Sequence, residues 1–244
     1  MRGPDNTPMD ELDLIAESRR LCQELKRQLP DIHVPSLSAS FVTASGASVT
    51  AKLPTKVAAV AGALAWRAHD FAALSCDLFE QQRVIPGAVI TRSLMETTAL
   101  VYLVYKKAAQ ATREHRTDTL DDFLVRCMSG NRFRAGDPES PNVLTAIQAL
   151  DKEPGCDRYS DFYSLLCEFA HPNSLGSFYA YSSFDEVSRA VFFGHNRGMT
   201  KGSDVAFGLV FALEVLLEFL HKIREMSPRI VELQKELYPH DEAD

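Results

Sequence analysis

Between residues 54 and 82 the apolar positions Val57, Val60, Ala61, Leu64, Ala68, Phe71, Leu74 and Leu78 recur every three or four residues, the period of an α-helix with one buried face. Pro54 stands near its start, where the N–H that proline lacks would have no partner anyway. Ile85, Pro86 and Gly87 then make a tight corner. A second stripe, Val89, Ile90, Leu94, Leu100, Val101, Leu103 and Val104, carries helix from about residue 88 to residue 108. Two long helices joined by so short a corner lie antiparallel. Their apolar faces need further helices over them, so an all-α bundle is the expected architecture.

The rest of the chain supplies those helices. Leu12, Ile15, Cys22, Leu25 and Leu29 stripe a first helix over residues 9–29, closed by Pro30. Residues 31–52 shift to Ser, Thr, Ala and Val with prolines and a glycine, and are expected to be a flexible connection. A charged stretch over 110–134 contains an amphipathic helix at 119–128, and a short helix follows at 141–150. Residues 159–171 place Phe162, Leu165, Leu166 and Phe169 at helical spacing before Pro172 ends the run, pushing His171 out of helical dihedrals. Phe178–Tyr181 and Ala190–Phe193 are β-prone and read as a small hairpin over about 177–194, lying across the end of the bundle as a flap. A helix over 205–226 and a separate last one begun by Ser227 and Pro228 complete the chain. The expectation is seven or eight helices with an appended β-hairpin: an N-terminal helix at 1–30, the connection at 31–52, and the bundle at 53–240, one domain overall.

Composition narrows the function. The chain of 244 residues carries a net charge of −7, which disfavours a broad nucleic-acid surface. The N-terminus lacks the continuous apolar core of a secretory signal. The most apolar window, 205–220, contains Glu214 and Glu218 and reads as a buried core helix, so no membrane segment is expected. Five scattered cysteines, with no zinc-like spacing, fit free thiols in a reducing compartment, hence a cytoplasmic protein.

Three constellations carry candidate chemistry. Arg92 and Glu96 share a helix face one turn apart among apolar neighbours. With Tyr163 and His171 they would make a partly buried polar pocket in which Arg92 contacts an anion, Glu96 orients it, His171 titrates, and Asn173 adds a ligand contact. His171, Arg92 and Glu96 are also the candidate catalytic set. In the second, Arg189 and His195 stand six positions apart, and Arg126, Arg132 and Arg134 offer a phosphate patch. In the third, Glu168 with His171 and Glu218 with His221 are Glu-x-x-His steps that Glu96 and Glu214 would complete as a carboxylate-bridged metal pair.

Two of these carry resemblances. The Arg-Ser-Leu-Met-Glu stretch within residues 91–105 and the Tyr-x-x-Leu-Cys-x-x-x-His-Pro helix end within 159–173 resemble an uncharacterised bacterial all-helical domain-of-unknown-function family. That resemblance implies a helical bundle with a shared polar pocket and supplies no activity. The Arg189 to His195 spacing resembles the HEPN superfamily (higher eukaryotes and prokaryotes nucleotide-binding), small helical bundles that cut RNA without metal through an arginine and a histidine. The leading expectation is a binding domain for an anionic small ligand or a partner segment, with no cofactor. A metal-independent ribonuclease and a di-metal protein are the alternatives. An uncovered apolar face on the first or last helix would support a homodimer.

Overall fold

The computed structural model of the protein describes residues 9–29, 53–131, 133–195 and 202–237. Among them are seven α-helices, one π-helical turn and one two-stranded antiparallel sheet, an all-α bundle with a β-hairpin. The 31–52 connection lies outside the described residues, as does Arg132.

Helix α1 (Glu11–Gln28) begins where the Asp10 carboxylate accepts from the backbone N–H of Asp13 at 2.8 Å, which occupies one of the unpaired donors of the first turn. It buries Leu14, Leu21, Cys22 and Leu25. Helices α2 (Leu53–Glu80) and α3 (Val84–Glu114) form the expected antiparallel hairpin. Their contact is close because the buried face of α2 is built largely of Ala61, Ala65, Ala68 and Ala72. The corner falls earlier than Ile85, Pro86 and Gly87: the chain turns at Gln81–Arg83, with Gln82 at φ 56°, and those three residues are already the first turn of α3. Proline is accepted there because first-turn N–H groups have no intrahelical acceptor. Gly87 is needed for a different reason, since a Cβ would sit 2.5 Å from the Phe79 ring across the corner.

Helices α4 (Asp118–Ser129), α5 (Val143–Leu150) and α6 (Tyr159–Ala170) pack against this hairpin, and α7 (Gly202–Leu237) runs the length of the bundle against α1, α2 and α3. Helix α3 is long and apolar enough to cross a membrane by composition, and most of that window is buried inside the bundle. Pro228 lies inside α7 instead of starting a new helix. Its ring removes one backbone hydrogen bond. Ile230 and Leu233 beyond it are buried in the same core, and this burial carries the helix through.

Helix α6 ends as Pro172 requires, with His171 extended at φ −87° and ψ 145°. The chain then coils into a π-helical turn (Ser174–Tyr179), capped by the Asn173 side chain accepting from the Gly176 N–H at 2.8 Å. Phe178 and Tyr179 therefore belong to this turn and not to a strand. Strand β1 (Ser182–Asp185) pairs with β2 (Ala190–Phe193) in the register Ser182 to Phe193 and Asp185 to Ala190. The turn sets that register: Asp185 accepts from the Val187 N–H at 2.9 Å and the Ser188 hydroxyl at 2.8 Å, and Arg189 takes a left-handed φ of 53°. Among the described elements the hairpin packs chiefly on the π-helical turn.

Candidate functional site

Arg92 and Glu96 stand one turn apart on α3, and α6 brings Tyr163 against them. Arg92 Nη2 donates to the Tyr163 hydroxyl at 3.0 Å, and that hydroxyl donates to Glu96 Oε1 at 2.9 Å. Arg92 Nη2 also lies 3.1 Å from Glu96 Oε1. The phenol thus joins a cation and an anion that already touch, and the guanidinium carbon is 5.3 Å from the centre of the Tyr163 ring. Tyr163 is buried, while the Arg92 and Glu96 side chains are 34% and 25% exposed, so the cluster opens to solvent on the α3 side. Tyr159, one turn earlier on α6, fixes the helix by donating to the Met95 carbonyl at 3.0 Å.

Burial, together with the Glu96 hydrogen bond and charge, pushes the Tyr163 phenol up to about 12 against the opposing pull of Arg92. The hydroxyl therefore stays protonated at neutral pH and can give one hydrogen bond while taking another. Arg92 is less fully used. Its Nε is buried with no acceptor, and Nη1 makes no hydrogen bond to a described residue. An unsatisfied buried donor costs on the order of 1–3 kcal/mol.

The remaining site candidates fall apart in space. His171 is exposed at the end of α6, with no side-chain hydrogen bond or ion pair to another described residue. Asn173 is occupied in structure: its Nδ2 donates to Glu168 Oε2 at 2.7 Å while Oδ1 caps the π-helical turn. Glu218 holds Lys222 at 2.6 Å and His221 faces Glu225 at 3.2 Å. No group of three or more metal-ligating side chains converges among the described residues, so the two Glu-x-x-His steps are not brought together. Arg189 precedes β2 and His195 lies two residues beyond its end, with the whole strand between them. Arg126 gives its Nε to the Glu139 carbonyl and faces Asp122.

Two polar clusters had weaker signals in the sequence. Lys56, 1% exposed, meets Asp121 at 2.5 Å and ties the start of α2 to α4. The signal was a lysine on an otherwise apolar stripe between Leu53 and Val60. Tyr102, fully buried, donates to Glu153 at 2.5 Å and accepts from Lys106 at 2.8 Å. Nothing local marks that contact, because its partner comes from the turn after α5.

The chain was compared with protein-family models, with curated proteins and with solved structures, and none of them matches it.

Proposed function

We propose that this is a helical binding domain that takes a carboxylate or phosphate group at Arg92. Glu96 is the internal competitor that the incoming anion displaces, and Tyr163 is the hydroxyl that holds both. The reading rests on the unfinished hydrogen bonding of Arg92. A guanidinium has five donors in a planar fork that suits carboxylate and phosphate oxygens. Here only Nη2 is engaged, Nε is buried without an acceptor, and a third of the side chain is open.

Binding is favoured over catalysis because nothing beside Arg92 is ready to move a proton. Tyr163 is held protonated, Glu96 is ion-paired, and His171 stands exposed at the helix end. The cysteines of the described residues are free thiols, which favours a reducing compartment and thus a ligand met in the cytoplasm. No observation of comparable weight favours the ribonuclease or the di-metal alternative.

The test is thermal melting in titrations of inorganic phosphate and of citrate. A ligand at a hundred times its Kd adds about 2.7 kcal/mol. For 244 residues at roughly 2.1 cal/mol/K each, the unfolding entropy is ~0.5 kcal/mol/K, so the expected rise is ~5 °C. It should vanish in Arg92→Gln and appear at lower anion concentration in Glu96→Gln. An equal rise in Arg92→Gln would overturn the assignment.

A further inference from the structure

Helices α2 and α7 do not fill the space between them. Ala58, Ala61, Gly62 and Ala65 follow one another along α2 at steps of three, one and three residues, on one side of the helix. Where these short side chains pass Leu220, Ile223 and Ile230 of α7, they leave a cavity of about 450 Å³. That volume lies within the ~300–1,000 Å³ typical of small-molecule sites. The cavity is also narrow, because Val57, Ala61, Leu220 and Ile223 line it and yet are only 4–7% exposed. A trough that accepts a helix, ~10 Å across with its side chains, would leave its floor open to water. This space suits a single alkyl chain.

The mouth of the cavity carries one charge. Gln28, Arg224 and Ser227 supply its polar lining, and no carboxylate does. Arg224 gives Nη2 to the Gln28 side-chain oxygen and Nε to the Leu220 carbonyl at 3.4 Å. Gln28 is held in turn by donating to Glu24 at 2.7 Å. The acids beside Arg224 on α7 are already taken, Glu218 by Lys222 at 2.6 Å and Glu225 by His221 at 3.2 Å. In a chain with a net charge of −7, this guanidinium makes no ion pair with a described residue, and its Nη1 has no acceptor among them.

We infer that α2 and α7 form a binding site for a single-chain carboxylate of the fatty-acid class. The chain lies between Ala61, Ala65 and Ile223, and the head group rests on Arg224 Nη1. The guanidinium fork matches a carboxylate, and one positive charge matches a monoanion. A dianion is the poorer fit, since the rest of the chain repels it. A free amphiphile is favoured over a bilayer because the apolar surface is concave, whereas a segment that lies on a membrane presents a projecting face. The site shares no residue with the Arg92 cluster.

The test is isothermal titration of the full chain with octanoate, decanoate and dodecanoate, each below its micelle concentration. One saturable site per chain is expected, tightening about fourfold for each methylene that enters the cavity. Arg224→Gln, a change at an exposed position, should weaken decanoate about tenfold or more. Ala58→Phe, at the exposed edge of the cavity, should weaken all three. Arg92→Gln should bind decanoate as the wild type does, so this inference and the Arg92 reading fail separately. The inference is overturned by the absence of a saturable site, by an affinity that ignores chain length or Arg224→Gln, or by a loss confined to Arg92→Gln. It is equally overturned by decanoate that binds only once residues 31–52 are replaced by a glycine-serine linker, which gives the cavity to the chain's own segment. A wild-type sedimentation mass of twice 27.1 kDa that Ala58→Phe halves gives it to a second copy and overturns the inference as well.

Discussion

Replacing Lys56 by methionine should unfold the protein far more readily than its conservative shape suggests. Lys56 and Asp121 are both buried, and their charged atoms are 2.5 Å apart. At an effective dielectric of about 20 the pair attracts by ~7 kcal/mol, a sum largely consumed by taking two ions out of water. Methionine keeps the stem volume but removes the charge that offset the desolvation of Asp121. Breaking such a pair from one side costs about 3–5 kcal/mol. At ~0.5 kcal/mol/K the melting temperature should drop by ~6–10 °C. The double variant Lys56→Met with Asp121→Leu removes both ions and should recover to within about 1 kcal/mol of the wild type. Urea unfolding of the three proteins, read as midpoint and slope, gives the comparison directly. A Lys56→Met protein within 1 kcal/mol of wild type, or a double variant no better than the single, would show that the pair is not desolvated as described.

Other perturbations probe the remaining polar groups and the close approaches. Tyr163→Phe removes the hydroxyl between Arg92 and Glu96 but leaves their 3.1 Å contact, so chemical denaturation should show a loss of only about 1 kcal/mol. Gly176→Ala would place a Cβ 2.1 Å from the His171 carbonyl oxygen and 2.6 Å from that of Phe169; a loss of ~1–3 kcal/mol is expected, and an unchanged melting curve would contradict the packing of the π-helical turn. Burial, reinforced by Glu17, raises the Glu214 carboxyl above its ordinary 4.5. The folded state therefore holds that proton to higher pH than the unfolded chain, and ionised Glu214 costs stability once pH exceeds the raised value. Glu214→Gln should accordingly melt higher than wild type at pH 7, with the gain fading as pH falls from the raised value towards 4.5 and gone below it.

Amino-acid order alone was enough for the helices, because their signal is local. Apolar spacing along α1, α2, α3, α6 and α7 marks one buried face on each, and Pro172 stops α6 by a steric clash confined to its neighbour. Arg92 and Glu96 were paired for the same reason, being one turn apart on a single helix. Tertiary structure decided what depends on long-range contact. Pro228 reads locally as a helix start, yet the burial of Ile230 and Leu233 continues α7 through it. Phe178 and Tyr179 have β-prone chemistry, yet the Asn173 cap winds them into a π-helical turn. Tyr163 reaches Arg92 and Asp121 reaches Lys56 from other helices, while His171 is left in water. A side chain's own sequence fixes its chemistry, but its partners are fixed by how the helices pack, and that packing is a property of the whole core.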